Sequence, residues 1–487
     1  MDYHGSPVPE NVLPEPAVLS KARASLQTNL PPDGVGSQSA QEHIRRDICP
    51  GLSASSKSSR YYGFVTGGAT TAAQFADNIV TEYDQNVQVH LPKETVATDV
   101  EYHALNMLCQ LIDLEPAVWT HKTFTTGATA SNIMGLACGR EHVLAAAAAR
   151  HGREASVAQH GLIRAMRLAD VDDIQILTTV PHSSIRKAAS IVGLGHDSVK
   201  DCSEQGQTNL FDMAELERAL IRPRTASIIM VSFSEVNTGQ FATQCTQDVQ
   251  ALRDLADAYH AWIHVDAAFG FMARLLPESP EYETVRRCGG GLDLADSITG
   301  DGHKLLNVPY DTGFFLSRHL SYGLQVFRNP NAAYLSSAAA GIPSPLNIGI
   351  ENSRRFRALP VYANLVAYGR SGYQDMLCRQ VRLARIITDF LFDNEHYDVF
   401  KPRADMQKAE LLSSTFMIVL FRAKSSAVND DLVNRINGTL RIYCSGTTWG
   451  PGAGVRFAMA NWKCDPERDW PVVRQVLEDL VAVDRNA

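Results

Sequence analysis

The sequence predicts an α/β protein in which helices cover both faces of a largely parallel sheet. A small C-terminal α+β domain and an extended N-terminal arm complete the predicted fold. Between residues 121 and 320, short β-branched runs alternate with helical stretches, a pattern typical of parallel sheets. Beyond residue 355, a long amphipathic stretch leads to two further strand-like runs. Residues 1–60 are rich in Pro, Ser and Gly, which favours an arm that lies on a partner surface.

Hydrophobic periodicity and turn residues place the individual elements. The arm contains one predicted helix near 38–48, and helical periodicity continues after the turn-rich stretch 61–71 to about 115. The predicted strands of the central part are Ile174–Thr179, Ala226–Phe233, Ala261–Val265 and Thr312–Leu316. The predicted helices between them are 131–150, 183–192, 212–220 and 246–259, with Asp212 and Thr246 as caps. The C-terminal part has a predicted amphipathic helix, Ala363–Asn394, and predicted strands Ser414–Arg422 and Val455–Asn461. The corresponding domains are an arm or dimerisation segment (1–95), a large domain (96–360) and a small domain (361–487).

Composition excludes several classes of protein. The 487 residues carry a net charge of −8, which argues against a broad nucleic-acid surface. No apolar run approaches the ~20 residues of a membrane span. The start, Met-Asp-Tyr-His-Gly-Ser-Pro, lacks the basic and apolar regions of a secretory signal. The nine cysteines show no Cys-x-x-Cys spacing, so we expect reduced thiols and no metal site. These features predict a cytoplasmic protein without nucleic-acid or membrane partners.

Lys304 and Asp266 are charged residues in surroundings that do not suit a charge. Lys304 follows Asp-Gly-His in a small, apolar stretch, and Asp266 closes the strand-like run Trp-Ile-His-Val-Asp. Burying a charge is costly unless a partner matches it. A lysine bound as a Schiff base and a carboxylate facing a protonated pyridine nitrogen would both be matched. Pyridoxal 5′-phosphate needs that pair.

The stretch Phe-Thr-Thr-Gly-Ala-Thr-Ala-Ser-Asn (124–132) lies where a loop enters a helix. Small residues let the backbone close on a phosphate, and N–H groups at a helix start donate to it. Thr129 and Ser131 add hydroxyl donors. Taken alone, the stretch is equally well explained as an ordinary Ser/Thr-rich helix start, because such loops are weak motifs.

His182 opens a predicted helix after a strand, at the edge of the sheet where ligands of open α/β proteins bind. An isolated histidine in this position is more often a helix cap than a ligand contact. Its ring would stack on a cofactor if the other pieces converge. The order of phosphate loop, stacking histidine, ring-nitrogen aspartate and Schiff-base lysine along one chain is a strong signal for pyridoxal 5′-phosphate.

Over nearly its whole length the chain resembles the group II pyridoxal-phosphate-dependent amino acid decarboxylases. This family includes aromatic-L-amino-acid, glutamate and histidine decarboxylases. The motifs that carry the resemblance are Thr-Gly-Ala-Thr-Ala-Ser-Asn (126–132), His-Ser-Ser (182–184), His-Val-Asp-Ala-Ala (264–268), Asp-Ser (296–297) with Asp-Gly-His-Lys (301–304), Ser-Arg-Arg-Phe-Arg-Ala-Leu-Pro (353–360) and Arg-Phe-Ala-Met-Ala-Asn-Trp (456–462). The resemblance implies the aspartate-aminotransferase fold, also called fold type I, with a mostly parallel seven-stranded sheet. It also implies an intertwined homodimer with active sites at the interface.

The resemblance further implies the roles of individual residues. Ala128 and Thr129 hold the phosphate with His303 beside it, and Thr66 faces the substrate carboxylate. Phe64 is a further predicted substrate contact, because its aromatic side chain suggests an apolar wall. The cofactor-binding residues predicted in all are Ala128, Thr129, Ser131, His182, Asp266, Ala268, His303 and Lys304. Among them, the catalytic residues are His182 on the ring face, Asp266 at the ring nitrogen and Lys304 at the aldehyde.

Two departures from the family pattern concern the chemistry. The loop between Tyr334 and Ser353 contains no tyrosine, whereas aromatic-amino-acid decarboxylases carry one there that returns a proton after CO2 leaves. In plant relatives, changing that tyrosine diverts the reaction to oxygen and an aldehyde. In addition, Ser-Glu-Val-Asn-Thr (234–238) stands where many relatives have a threonine pair under the ring hydroxyl, and Asn237 or Thr238 could substitute.

The sequence therefore predicts an L-amino acid decarboxylase, a carboxy-lyase that acts through a Lys304 Schiff base. One alternative is diverted chemistry on the same fold, either an oxygen-dependent aldehyde synthase or a carbon–carbon bond-forming enzyme. Another is a catalytically silent protein that binds the cofactor. The substrate stays open, with an aromatic amino acid slightly favoured because Phe64, Tyr61 and Tyr62 suggest an apolar wall. The proton donor stays open among Lys304, His182 and water.

Overall fold

The computed structural model describes residues 8–205, 207–329, 341–450 and 452–482. Helices occur from the arm to the last described residues. In chain order they are Pro16–Ala24 (α1), Ser37–His43 (α2), Thr71–Tyr83 (α3), Ala97–Leu111 (α4), Ala128–Ala149 (α5), Val157–His160 (α6), Leu162–Ala169 (α7), Ser183–Ile191 (α8), Met213–Leu220 (α9), Thr246–Tyr259 (α10), Glu283–Cys288 (α11), Gly302–Leu305 (α12), Leu320–Phe327 (α13), Ala358–Asp393 (α14), Lys408–Ser414 (α15), Ser426–Asn429 (α16), Leu432–Gly438 (α17) and Pro466–Ala482 (α18). Helix α14 is broken at Gly369, which has left-handed φ.

The strands are concentrated in the middle and near the end of the chain. In chain order they are His121–Thr125 (β1), Asp173–Thr178 (β2), Val199–Asp201 (β3), Ser203–Glu204 (β4), Gln207–Phe211 (β5), Thr225–Ser232 (β6), Trp262–Asp266 (β7), Ser297–Asp301 (β8), Gly313–Ser317 (β9), Tyr397–Val399 (β10), Ile418–Ala423 (β11), Ser445–Trp449 (β12) and Gly452–Ala458 (β13).

Seven strands form the central sheet in the order β1-β9-β8-β7-β6-β2-β3. The pairs β2–β3, β2–β6, β6–β7 and β7–β8 are parallel, while β9 runs antiparallel to β8 and to β1. Strands β6 and β7 are buried over almost their whole length, as their Ile- and Val-rich sequences predict for strands covered on both faces. The predicted mostly parallel, seven-stranded sheet is confirmed.

Helix α5 packs across this sheet and shapes the region behind the candidate site. Its buried residues Met134 and Leu136 join a core that includes Ile228, Met230 and Trp262 of the sheet. Gly135 allows the closest approach, because a Cβ atom at this position would lie 2.3 Å from Cε1 of His264. A larger residue would therefore displace either the helix or the imidazole.

The described chain forms two compact units. One comprises Ala69–Cys378 and Lys401–Phe416, and it contains the central sheet. The other comprises the described parts of Met1–Gly68, Arg379–Phe400 and Met417–Ala487, and it contains the antiparallel sheet β10-β11-β13-β12. The second sheet confirms the predicted small C-terminal sheet. The domain boundaries at 95 and 360 stay predictions.

Some element predictions need correction. Strands β1, β3 and β8 were not among the four predicted for the central part. The strand predicted at Ser414 begins at Ile418, because the preceding residues through Ser414 belong to α15. Asp212 caps α9 as predicted, since its side chain accepts a hydrogen bond from the Glu215 N–H. Thr246 is instead the first residue of α10, and Cys245 occupies the cap position without a side-chain hydrogen bond.

The structure can be compared with two expectations from composition, the reduced thiols and the lack of a membrane span. The nine cysteines are free thiols, and five of them are buried. Among the residues that the structure describes, no helix combines the length and the apolar character needed to cross a bilayer.

Two buried histidines and one partly buried histidine of the unit that contains the central sheet predict that the free energy of unfolding decreases as the pH falls below about 6.5. Burial lowers the pKa of His121 and of His142 to about 4, and that of His264 to about 3. As the pH falls, these histidines therefore take up protons in the unfolded chain before they do so in the folded protein. The free energy of unfolding that they contribute above the unfolded pKa of about 6.5 is consequently lost as the pH approaches 4. Each histidine contributes up to about 1.4 kcal/mol per pH unit to the loss of unfolding free energy. Urea unfolding at pH 7.5, 6.5, 5.5 and 5.0 measures the slope.

The exposed His151 offers a matched control, because His151→Gln is expected to leave the slope unchanged. An unfolding free energy that stays constant from pH 7.5 to 5.0 would show that these buried imidazoles are not neutral in the folded state.

Candidate active site

Three adjacent parallel strands bring polar side chains to one edge of the central sheet. Strands β6, β7 and β8 end at Ser232, Asp266 and Asp301, and Ser232 lies opposite Asp266 in the strand register. Carboxyl ends of parallel strands are where α/β proteins bind ligands. A cavity of about 240 Å³ opens at this edge, lined by Thr126, Gly127, Ala128, Thr129, Ala130, His182, Ser184, Ser232, Ser234, Glu235, Val236, Asp266, Ala268, Phe269, Asp301, His303 and Lys304.

The start of helix α5 forms one wall of this cavity. Gly127, Ala128 and Thr129 line it, and the Ala128 N–H donates a 2.6 Å hydrogen bond to Oδ1 of Asp301. The N-terminus of a 22-residue helix favours negative charge, as the phosphate prediction requires. The Ser131 hydroxyl is buried 2.7 Å from the Thr125 hydroxyl, and Ser131 does not line the cavity. Ala128 and Thr129 therefore line the cavity and Ser131 does not, and the part of all three in cofactor binding stays a prediction.

Asp266 lies on the floor of the cavity with both carboxylate oxygens hydrogen-bonded. Oδ2 accepts from Nδ2 of Asn132 at 2.9 Å, and Oδ1 accepts from the Ala268 N–H at 3.2 Å. The residue is 7% exposed and lines the cavity. Each oxygen keeps a further lone pair, so the carboxylate can accept a hydrogen bond from a ligand.

A chain of buried polar groups holds Asn132 in place behind Asp266. Because Nδ2 of Asn132 donates to Asp266, its Oδ1 is the acceptor for Nε2–H of His264, 2.9 Å away. Nδ1 of His264 then accepts from the Ser297 hydroxyl at 2.8 Å, and Ser297 accepts from Nε1–H of Trp262 at 2.9 Å. Burial lowers the pKa of His264 to about 3, so the imidazole is neutral, with Nε2 as its donor and Nδ1 as its acceptor. These hydrogen bonds orient the Asn132 amide, which in turn orients the Asp266 carboxylate.

Lys304 lies in the short helix α12, directly after β8. Its Nζ is 3.0 Å from Oδ2 of Asp301, and it lies 5.5 Å from the centre of the Phe269 ring. His303 lines the same cavity, and its Nδ1 accepts from the Thr312 N–H at 3.3 Å. Burial lowers the pKa of His303, and its Nε2 lies 3.6 Å from Oδ1 of Asp301. Lysine, histidine and carboxylate therefore meet beside the start of α5.

His182 lines the cavity and also caps helix α8. Its Nδ1 accepts from the Ser184 N–H at 3.2 Å and lies 2.7 Å from the Ser184 hydroxyl. The imidazole consequently carries its proton on Nε2 when it is neutral. The residue is exposed, so its ring is accessible to a ligand. His182 therefore caps α8 and also lines the cavity, and the stacking of its ring on a cofactor stays a prediction.

The loop after β6 contributes groups that the sequence did not reveal. Ser234 and Glu235 line the cavity. Asn237 and Thr238, which were expected to replace the threonine pair, do not line it, because their side chains and N–H groups donate to the Glu235 carboxylate. The contact of Asn237 or Thr238 with the ring hydroxyl stays a prediction.

Two arginines of the motif 353–360 form ion pairs with carboxylates of the same compact unit. Arg354 is buried, pairs with Glu101 at 2.6 Å and donates to the carbonyl of Phe124 at 2.8 Å. Since Phe124 belongs to β1, this contact fixes the strand that leads into α5. Arg357 pairs with Asp311 at 2.9 Å.

Three further expectations concern residues that are not part of the cavity lining given above. Phe64 is exposed, and the buried Thr66 donates from Oγ1 to the Gly63 carbonyl at 2.9 Å. Both belong to the other compact unit, and their substrate contacts stay predictions. Of the loop without a tyrosine, the part up to residue 340 lies outside the described residues.

The residues of the cavity fit the predicted cofactor. The amide groups at the α5 start suit a phosphate, Asp266 offers a carboxylate to a ring nitrogen, and Lys304 offers an amine to an aldehyde. His182 supplies a flat ring at the same cavity. All four pieces lie in one compact unit, so the set does not depend on the placement of the other.

Comparison with known proteins identifies the family of the chain. The model of the pyridoxal-dependent decarboxylase conserved domain matches residues 20–408. Tryptophan decarboxylase 1 of Oryza sativa subsp. japonica is 24% identical over 479 residues, covering 94% of this chain and 87% of that protein. The structure of Oryza sativa tryptophan decarboxylase with PLP and tryptamine superposes with a TM-score of 0.78 at 20% identity, covering 97% and 94% of the two chains. That of Rhodiola rosea 4-hydroxyphenylacetaldehyde synthase gives a TM-score of 0.76 at 17% identity, covering 98% and 94%.

Proposed function

The chain belongs to the pyridoxal-dependent decarboxylases, lyases that use pyridoxal 5′-phosphate, and on that premise we propose that it is an L-amino acid decarboxylase acting through a Schiff base on Lys304. The observation that carries the proposal is the presence of Lys304, Asp266 and the α5 start in a single cavity. When bound, the cofactor supplies a conjugated ring that accepts the electron pair of a broken Cα bond.

The residues of the chain have separate tasks in this proposal. The α5 start with Ala128 and Thr129 binds the phosphate and so fixes the position of the ring. Asp266, held by Asn132, keeps a proton on the ring nitrogen. His182 lies against the ring face and limits how the substrate is oriented.

There are three candidates for the group that returns a proton to the substrate. Lys304 is one, since its amine is free to move a proton once the substrate amine has replaced it. His182 is another, because its Nε2 can carry a proton while Nδ1 caps α8. Water is the third, and it needs no residue of this chain.

A second candidate function is the oxygen-dependent formation of an aldehyde. The observation that favours it is the absence of a tyrosine from the sequence between Tyr334 and Ser353. Without that tyrosine, the chain would return a proton to the substrate more slowly, and slow protonation would favour the reaction with oxygen. The same fold also occurs in a 4-hydroxyphenylacetaldehyde synthase, so it accommodates this chemistry.

The proposal extends to assembly and location. A homodimer with active sites at the interface agrees with the Pro-, Ser- and Gly-rich arm, which needs a surface to lie on. A cytoplasmic location agrees with the free thiols of the nine cysteines.

An amino-acid panel in air and without oxygen tests both candidate functions. The cofactor-loaded protein is incubated with each of the common L-amino acids and their cationic homologues, and the products are identified by mass spectrometry. We expect one substrate class to give amine and CO2 in equal amounts, with the same yield under both atmospheres.

An aldehyde that forms only in air, together with ammonia and peroxide, would replace decarboxylation by the second candidate. Cofactor that stays bound while no amino acid is consumed would contradict both and leave a silent binding protein. A spectral change without a product would indicate a carbon–carbon bond-forming enzyme that requires a second substrate.

A further inference from the structure

Asp301 is a buried carboxylate that was not among the residues predicted to bind the cofactor, although it opens the motif Asp-Gly-His-Lys. Its Oδ1 accepts a hydrogen bond from the Ala128 N–H at 2.6 Å, a short distance typical of an amide that donates to an ionised oxygen. Its Oδ2 lies 3.0 Å from Nζ of Lys304. The residue is 4% exposed and lines the cavity. The carboxylate therefore contacts two of the groups that the proposed function assigns to the cofactor.

The backbone fixes the position of this carboxylate. Asp301 ends strand β8, where it pairs with Gly313 of β9, and its N–H donates to the Ala268 carbonyl at 3.0 Å. The start of α5 packs closely against the same place, since a Cβ atom on Gly313 would lie 2.5 Å from Cα of Gly127. The contact between Asp301 and the α5 start is therefore part of the fold. An anion bound at that helix start must share its surroundings with the carboxylate.

The Ala128 amide is a donor for which two anions compete. A backbone N–H has one hydrogen, and a helix N-terminus attracts a carboxylate as well as a phosphate. The phosphate of the cofactor carries a charge of about −1.5 to −2 at neutral pH. When the phosphate takes the Ala128 hydrogen, Asp301 loses a hydrogen bond and gains a negative neighbour. Nε2 of His303, 3.6 Å from Oδ1, is too distant to replace that hydrogen bond.

The amine of Lys304 is likewise shared between Asp301 and the cofactor. Schiff-base formation joins the Lys304 nitrogen to the aldehyde carbon and releases the aldehyde oxygen as water. Only the neutral amine has the lone pair for this step, so the ammonium group must first give one proton to solvent and leave the ion pair. Breaking a buried ion pair leaves an uncompensated charge on Asp301, which is unfavourable. The phosphate and the aldehyde of the cofactor therefore each displace Asp301 from a partner.

We infer that Asp301 competes with pyridoxal 5′-phosphate for the Ala128 amide and the Lys304 amine, and that this competition limits the affinity and the rate of cofactor binding. The inference rests on the proposed attachment of the cofactor to Lys304 and of its phosphate to the α5 start. It gives Asp301 a role opposite to the one proposed for Asp266, whose carboxylate holds the ring nitrogen. The active fraction of the protein consequently follows the concentration of free cofactor.

Replacing Asp301 by asparagine tests the competition, because the amide keeps the size of the side chain and removes its charge. Cofactor binding to the full-length protein, freed of cofactor with hydroxylamine, is followed by absorbance and requires no turnover. We expect Asp301→Asn to bind pyridoxal 5′-phosphate with a Kd about 10-fold lower than that of the wild type, because a like charge beside the phosphate is lost. The association rate is expected to rise as well. The loss of a residue that merely supports the site would instead raise Kd.

Two analogues of the cofactor separate the two shared groups. Pyridoxal lacks the phosphate, and pyridoxine 5′-phosphate lacks the aldehyde. We expect Asp301→Asn to tighten the binding of each analogue by about 3-fold, because the two contributions multiply to the gain for the complete cofactor when they are independent. Asp197→Asn is the matched control, since Asp197 is exposed and does not line the cavity. It is expected to leave all three affinities unchanged.

A second variant and a stability measurement address folding. Asp301→Ser also removes the charge, and it is expected to shift the three affinities in the same direction as Asp301→Asn. Urea unfolding shows whether each variant is folded. If neither variant folds, the charge of Asp301 is needed for the structure and the inference fails, because a competitor of the cofactor is dispensable for folding.

The remaining outcomes separate the inference from the function on which it rests. If folded Asp301→Asn binds the cofactor no more tightly than the wild type, the inference is wrong and the decarboxylase function stands. Equal gains for pyridoxal and for the complete cofactor would exclude competition at the Ala128 amide and overturn the inference as well. If borohydride reduction of the loaded wild type leaves Lys304 unmodified, the proposed function itself is wrong, whatever the affinities of the variants.

Discussion

Replacing Lys304 by alanine is expected to lower kcat by about 10⁴-fold or more, because it removes both the covalent attachment point and an amine that can move a proton. The loss should also show without catalysis. Borohydride reduction of the wild type is expected to fix the cofactor on the peptide that contains Lys304, whereas Lys304→Ala should lose its cofactor on dialysis. Mass spectrometry of the digested protein locates the modified peptide.

Lys187→Ala is the matched control for this experiment. Lys187 is an exposed residue of helix α8, and it does not line the cavity, so its replacement should leave cofactor retention and turnover unchanged. The proposal fails if reduction modifies another lysine, or if Lys304→Ala retains the cofactor covalently. Loss of the cofactor from both variants would instead indicate general damage to the fold.

The sequence predicted the strands whose own residues are apolar and missed those stabilised by their neighbours. Strand β6 is Thr-Ala-Ser-Ile-Ile-Met-Val-Ser, and its β-branched run identifies a buried strand directly. Strand β8 is Ser-Ile-Thr-Gly-Asp, with one strongly apolar residue. It is nevertheless fully buried, because β7 and β9 flank it. Gly300 belongs there for packing, since a Cβ atom would lie 2.0 Å from the Phe314 ring.

In the candidate site, too, residues with a distinctive local sequence could be predicted, whereas residues whose burial depends on distant parts of the chain could not. Lys304, Asp266 and His182 could be predicted because each has a distinctive neighbourhood in the sequence. Glu235 could not, since a glutamate in a polar loop is ordinarily solvent-exposed and its burial depends on the folded loop. The following Asn-Thr-Gly is a turn signal that indicates its donors, but nothing in the sequence shows that the turn faces the cavity.

The buried hydrogen-bonded groups behind Asp266 are a further feature that could not be predicted from the sequence. Asn132, His264 and Ser297 come from one helix and two strands, and their contacts depend on the close approach that Gly135 allows. All three residues lie in motifs that the sequence singled out, but the motifs do not show that these side chains contact one another. These hydrogen bonds orient Asn132 before any ligand binds, and Asn132 in turn holds the Asp266 carboxylate.

Replacing Asp266 by asparagine is expected to lower kcat by about 10³-fold while the protein stays folded. A carboxylate about 4 Å from the ring nitrogen stabilises its protonated form by ~4 kcal/mol at an effective dielectric of 20. This corresponds to about 3 pK units, which decide whether the ring is protonated at neutral pH. The amide keeps the volume of the side chain and can still accept from Asn132, so the loss isolates the charge. Steady-state rates and a spectrophotometric pH titration of the bound cofactor measure the two effects.

The pH titration is what distinguishes an electrostatic role for Asp266 from a structural one. If the charge holds the proton on the ring, the titration of the bound cofactor in Asp266→Asn should move to lower pH than in the wild type, with retained cofactor and an unchanged urea midpoint. Asp254→Asn, on the exposed face of helix α10, controls for the loss of one carboxylate from the protein. A slower Asp266→Asn enzyme with an unmoved titration would mean that Asp266 positions its neighbours rather than the proton. The electron-accepting ring would then need another source of positive charge, and Lys304 is the lysine that lines the cavity.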